Sequence, residues 1–324
     1  MKIKDVVYGE FEITAPVLID LINSKAIQRL KNISQMGMPD EYYHKKGFSR
    51  FEHSVGVMLL LRKLGADLTE QIAGLLHDVS HTAFSHVIDW VIGDPTKETH
   101  QDDSFINFIK QSDIPDILKI HGFDYKFICD LNKFSLLEND APNICADRID
   151  YSLREIIDFE TPEKFNFILK SLINHKGTII FNSLEAAEIF SLDYAICQKE
   201  HWAGNEAKAR YHILGKTLKR ALDNKIIYLS DFLKTDNEVI EILQKSKDNE
   251  IIEGLNLLKS GFTVKLSNGS GAVVLQKKFR YVDPFVLNNG LLTLLSSLSM
   301  VYKESLEKQK EESISSDYLE VVAK

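Results

Sequence analysis

The sequence predicts a mainly α-helical protein with a short N-terminal hairpin and a small C-terminal β-hairpin region. Three observations lead there. Apolar residues recur at three- and four-residue spacing through most of the first 260 positions. The opening MKIKDVVYGEFEI alternates in character, with Tyr8-Gly9 as its turn. Beyond Gly261, FTVKLSNGSGAVVLQKKFRYVDPFVL combines alternation, β-branched residues and an Asn-Gly-Ser-Gly turn.

Taken in order, residues 1–13 read as the strand or hairpin. Ala15 to about Gln35 reads as helix through Val17, Leu18, Leu21, Ile22, Ile27, Leu30 and Ile33, broken and capped at Asn23-Ser24. Gly37-Met38-Pro39-Asp40 ends it, and the polar loop EYYHKKGFSR follows. Phe51 to Leu64 and Leu68 to Leu76 are helical by period, separated by Gly65. VIDWVIGDP closes a short helix; 100–109 and 114–120 are helical, and 126–137 is ambiguous. NICADRIDYSLREII, 143–157, is a strong amphipathic helix. Looser helices cover 162–174, 183–226 and 236–259, and KESLEKQKEES makes a charged C-terminal helix or tail.

At 324 residues, with 44% hydrophobic and 27% charged side chains, the chain can bury a sizeable core in one large domain or two. A net charge of -8 and a pI near 5.7 disfavour nucleic acid as partner, while leaving room for a local phosphate pocket. The charged opening is neither signal nor transit peptide, and no run approaches the roughly 18 apolar residues of a membrane span, so the expectation is a cytoplasmic protein with no membrane partner. Cys129, Cys145 and Cys197 lie far apart in apolar contexts without metal-binding spacing and read as core thiols.

The chemistry concentrates in Leu75 to His86, LLHDVSHTAFSH. Buried imidazole and carboxylate must be paired or must coordinate a metal. Candidate ligands fall in three places: His53, His77-Asp78 and Asp147. Imidazole with carboxylate suits Mn, Fe, Ni, Co or Zn, with Mg less matched, and the lack of thiolate argues against structural zinc. Consecutive ligands cannot share one helical face, so His77 and Asp78 must sit at a helix end or a distorted turn. His53, His77, Asp78, His81 and His86 all lie within 34 residues.

These residues resemble the HD-domain metal-dependent phosphohydrolases, and within them the deoxynucleoside triphosphate triphosphohydrolase (dGTPase-like) branch. Arg50-Phe51-Glu52-His53-Ser54-Val55-Gly56-Val57, Ala73-Gly74-Leu75-Leu76-His77-Asp78, His81, Phe84-Ser85-His86 and Asp147-Arg148-Ile149-Asp150-Tyr151 carry the likeness. It extends from residue 1 to about 160 through KIKDVVYGEFEI and IQRLKNISQMG.

The resemblance implies a helical bundle around a metal site, with His53, His77, Asp78 and Asp147 as ligands. It implies catalytic roles for His81 and His86 near the reacting phosphate, and for Asp89 with His100 as a supporting pair; the family's usual Glu after that His is Gln101 here. It implies substrate binding by Arg50, Arg148, Tyr151, Glu155 and Gln35, and an enzyme that is a phosphoric ester hydrolase. The domain expectation is 1–160 as catalytic core, 161–260 as a helical extension completing the substrate pocket, and 261–324 as the β-hairpin region with the charged helix or tail. The substrate expectation is a small-molecule nucleotide, with a dNTP cleaved to deoxynucleoside and triphosphate. The alternatives are a phosphomonoesterase on a monophosphate, a non-catalytic nucleotide sensor and, against the charge, a nuclease. Exposed strand edges in 262–288 suggest a homo-oligomer.

Overall fold

The computed structural model describes all residues except Thr99, 268–272, Gln276, 315–317 and Lys324. A hairpin opens it: β1 (Lys2–Asp5) pairs antiparallel with β2 (Gly9–Glu12) about Gly9 at φ +84°. Helices α1 (Pro16–Asn23) and α2 (Lys25–Arg29) follow, with Ser24 accepting from the Ile27 N–H as the cap between them. Then come α3 (Arg50–Lys63), α4 (Leu68–Leu76), α5 (Ile88–Ile92), α6 (His100–Gln111), α7 (Ile114–Ile120), α8 (Tyr125–Ile128), α9 (Ala146–Ile156) and α10 (Pro162–Ser171).

The chain next forms a hairpin that the sequence reading missed, β3 (Leu172–His175) with β4 (Thr178–Phe181). It continues into α11 (Leu184–Ile196), a π turn (Cys197–Trp202), α12 (Asn205–Asp223), α13 (Asp236–Gln244) and α14 (Asn249–Ser260). In the C-terminal β region, β5 (Phe262–Leu266) and β6 (Val273–Val274) do not pair with each other. Each pairs antiparallel with β9 (Tyr318–Ala323), which lies between them. The hairpin of this region is β7 (Phe285–Asn288) with β8 (Leu291–Leu294) about Asn289-Gly290, and β7 also joins β4 in the order β3-β4-β7-β8. The expected Asn-Gly-Ser-Gly turn falls outside the described residues. The charged C-terminal stretch is helical, α15 (Leu295–Leu298) and α16 (Met300–Ile314), before β9 ends the chain.

Two apolar cores form. The larger packs α1 to α4, α6, α7, α9 to α11 and α16 around α3, whose residues 53–61 are all buried, as expected of a helix apolar on every side. The smaller joins Met38, Phe84 and α5 to α12, α13, α14 and β5. The three cysteines are free and buried, as their contexts predicted. No helix among the described residues is long and apolar enough to cross a membrane.

Candidate metal centre and substrate pocket

The first ligand candidate is placed by a helix start. Ser49 caps α3, its hydroxyl accepting from the Glu52 N–H while the Glu52 carboxylate accepts from the Ser49 N–H at 2.7 Å. This reciprocal cap fixes the first turn, so that Arg50 and His53 project to one side. The second pair is placed by a helix end. α4 stops at Leu76, His77 is its C-cap, and Asp78 lies in the tight turn beyond, where the His81 N–H donates to the Asp78 carbonyl at 3.1 Å. Two adjacent candidate ligands thereby converge without sharing a helical face. Asp147 comes from the first turn of α9.

His53 Nε2 lies 2.9 Å from Asp147 Oδ1 and 3.5 Å from Asp78 Oδ2. His77 Nε2 lies 3.4 Å from the same Asp147 oxygen and 3.6 Å from Asp78 Oδ1. Donors about 2.1 Å from one divalent ion sit roughly 3.0–3.4 Å from each other, so this spacing suits a shared cation. His77 Nδ1 donates to the Gly74 carbonyl at 2.8 Å, which leaves buried Nε2 with no hydrogen-bond partner among the described residues. Burial alone would push the His77 imidazole down, yet the Asp78 and Asp147 carboxylates pull it up to about 10. The cluster calls for positive charge at its centre. The residues present fit a divalent metal.

Behind the ligands runs a buried chain. His53 Nδ1 lies 2.8 Å from Asp150 Oδ2, Arg154 Nε donates to that same oxygen at 2.8 Å, and Arg154 Nη2 donates to Asp5 at 2.7 Å. It fixes the His53 tautomer and ring plane. Gly56 permits it, because a Cβ there would meet Asp150 Oδ1 and Arg154 Nη2 at 2.1 Å each.

Arg50 Nη1 donates to Asp78 Oδ2 at 2.6 Å and Nε to Ser85 Oγ at 3.0 Å, while its buried Nη2 has no partner among the described residues. Ser85 Oγ in turn donates to the Ser34 carbonyl at 2.7 Å. Phe84 and Ser85 hold φ of +65° and +46°, a left-handed pair without glycine next to His86. Burial and the Arg50 charge push the His81 imidazole down to about 3, so it is neutral at physiological pH, 3.2 Å from Asp78. His86 stacks edge-on against it, ring centroids 5.0 Å apart, with Nδ1 3.6 Å from Asp89. His100 meets Asp89 through its backbone N–H at 3.2 Å.

One cavity of about 780 Å³ opens onto this cluster, with His77, Asp78, His81, His86 and Asp147 on its floor, and it draws walls from both apolar cores. Gln35 lines it with a buried side-chain oxygen that has no partner among the described residues. Tyr151 lines it too, its hydroxyl 2.9 Å from that of Tyr194, with Trp202 packed edge-on against both rings. Glu155 accepts from His201 and from the Trp202 indole, with Lys45 at 3.5 Å. Arg148 turns its guanidinium to the carbonyls of Asn139 and Asn143 at 3.2 and 2.5 Å.

Sequence reasoning missed Asp150 and Arg154 as supports, and Glu98, Lys277 and Arg280 as lining charges. The signal for Asp150 and Arg154 was present, since positions 147, 150, 151 and 154 share one helical face. No comparable local signal marks the others.

A helical fold with this donor set is that of a metal-dependent hydrolase, and residues 50–151 match the HD domain family. The chain belongs to the HD-domain metal-dependent phosphohydrolases. It is 40% identical over 292 residues, 88% of each chain, to Uncharacterized protein YdhJ of Bacillus subtilis. It is 34% identical over 224 residues to Metal-dependent phosphohydrolase cns2 of Cordyceps militaris, 67% of this chain and 65% of that one. A deoxynucleoside triphosphate triphosphohydrolase SAMHD1 homolog of Dictyostelium discoideum is 24% identical over 308 residues, 80% of this chain and 57% of its own. The chain thus spans less than two thirds of the last two. In fold it is similar to a phosphohydrolase from Bacteroides thetaiotaomicron, with a TM-score of 0.72, 17% identity and complete coverage of both chains.

Proposed function

We propose that this phosphohydrolase acts on nucleotides as a deoxynucleoside triphosphate triphosphohydrolase, releasing deoxynucleoside and inorganic triphosphate. The observation that carries the reading is the cavity of about 780 Å³ joining the candidate metal cluster to aromatic walls of Tyr43, Tyr151, Trp202 and Tyr211. A space of that size and lining suits a ring-bearing ligand with a polar tail rather than a bare phosphate. The Dictyostelium relative's name supports the same substrate class.

In this reading His53, His77, Asp78 and Asp147 hold the divalent ion, which when bound supplies Lewis-acid activation of water and of the phosphoryl group. Arg50 offers its spare Nη2 to a phosphate oxygen beside Asp78. His86, steadied by Asp89, delivers a proton to the leaving oxygen, and neutral His81 hydrogen-bonds the reacting phosphate. His100 serves by holding Asp89 through its backbone. Tyr151 and Gln35 pack against the sugar, Glu155 accepts from a sugar hydroxyl, and Arg148 adds positive charge toward phosphate. Residues 1–160 form the catalytic core, and 161–260 and 261–324 complete the pocket through Trp202, Tyr211, Lys277 and Arg280. Copies assemble through exposed strand edges.

Product analysis tests the reading. The metal-loaded full chain is offered dNTPs, NTPs and nucleoside monophosphates, with products separated by anion exchange. Inorganic triphosphate from dNTPs is expected. Inorganic phosphate from monophosphates alone would make it a phosphomonoesterase, and bound nucleotide without products a sensor. Asp78→Asn should lower turnover at least about 100-fold, because a neutral amide weakens the metal site.

A further inference from the structure

The cavity has a wall that the metal cluster does not use. Residues 277–281 run along it, bringing Lys277, Lys278 and Arg280 to its lining. The segment is held firmly at its far end, where Val282 is buried with its carbonyl accepting from the Tyr302 hydroxyl, and the Asp283 N–H donates to the Pro142 carbonyl at 2.8 Å. Arg280 pairs with Glu98, which is 5% exposed and whose Oε1 has no partner among the described residues. Lys277 Nζ sits 3.5 Å from the centroid of the Tyr211 ring, a cation–π seat that fixes its position.

Positive charge is in excess on this wall: Lys277 and Arg280 face the buried carboxylate Glu98, and Lys277 also feels the charges of Lys208 and Glu155. Burial, and then the like charge of Arg280, press the Lys277 ammonium down to about 8 against the pull of Glu98. The floor has the opposite sign, with Asp78, Asp147 and Glu138 lining it. A ligand spanning the cavity therefore meets a cation-seeking floor at one end and an anion-seeking wall at the other. Guanidinium and ammonium groups held in place by Glu98 and the Tyr211 ring suit phosphate oxygens.

We propose that Lys277 and Arg280 form the subsite for the substrate's distal phosphates, and so set the preference of the enzyme for a triphosphate over a monophosphate. The inference rests on the nucleotide reading above. Glu98 keeps Arg280 aimed into the cavity while no phosphate is there.

The test uses the Mn-loaded full chain and inorganic triphosphate as probe, with inorganic phosphate as comparison. Arg280→Gln strands Glu98 without its cation, so Lys277→Gln, which leaves that ion pair intact, carries the measurement; Lys245→Gln on an exposed side chain controls for net charge. Calorimetry should show triphosphate affinity falling about tenfold or more in Lys277→Gln, with phosphate affinity changed less than about twofold. KM for dNTPs should rise while kcat stays within a few fold. Unchanged triphosphate affinity in Lys277→Gln, or an equal loss in Lys245→Gln, overturns the subsite. If wild type hydrolyses dNTPs and Lys277→Gln leaves KM and triphosphate affinity unaltered, the subsite falls and the nucleotide reading stands. If triphosphate binds through Lys277 but no nucleotide is turned over, the nucleotide reading falls and the subsite stands.

Discussion

Asp150 illustrates how much of the centre depends on a residue that is no ligand itself. It sits between His53 and Arg154 with no exposure of its side chain, and its carboxyl is held below the usual range because Arg154 and His53 outweigh the burial that opposes them. Asp150→Asn removes the charge that both neighbours need and leaves Arg154 buried with one carboxylate, Asp5, in place of two. Metal affinity should fall about 10- to 100-fold, measured by competition with a chromophoric chelator. An unchanged affinity would show that His53 needs no such partner. At this scale the sequence exposes candidate ligands better than supports. His53, His77, Asp78 and Asp147 stand out because polar residues in apolar helices are costly. Glu98, Lys277 and Arg280 each read as ordinary surface charge, and only the fold brings residue 98 to residue 280.

Among the elements, the start of α13 does more than its position suggests. Buried Asp236 accepts from the Phe84 N–H at 2.7 Å and the Ser34 N–H at 2.9 Å, tying α13 to the turn that carries Ser85 and His86. Burial pushes its carboxyl up to about 7, against those two N–H donors and the nearby charges of Arg29 and Arg50. Because the folded value lies above the unfolded value of about 3.9, the linked stability is present below about pH 4 and is lost as pH rises toward 7. At 1.36 kcal/mol per pH unit the ceiling is about 4 kcal/mol. In chelator, urea midpoints from pH 4 to 8 should fall more steeply for wild type than for Asp236→Asn, and parallel curves would refute the assignment. Element type was legible where the apolar spacing was sustained, as in α3 and α9. The β3–β4 hairpin was not, because two four-residue strands of LINHKGTIIF carry too little alternation to separate from the helix before them. Strand β9 follows a charged helix and pairs with segments far upstream, so nothing local announced it.

For the whole molecule, the metal cluster and the cationic wall rest on different parts of the chain. The candidate ligands come from residues 53 to 147, inside the larger core, whereas Lys277 and Arg280 follow a sheet whose middle strand is β9. Deleting residues 318–324 should therefore leave metal affinity within about twofold while raising KM for the nucleotide substrate by about tenfold or more. Loss of metal binding in that variant would show that the two halves form one cooperative unit.

The sheet order β5-β9-β6 also shapes how the chain reaches this structure. Its central strand is the last of the three in sequence, so β5 and β6 remain without their shared neighbour until 318–323 docks between them. Pairing across so long a separation is slow, and until it is complete two strand edges stay open to other chains. Refolding at high protein concentration is where that interval would cost the most yield.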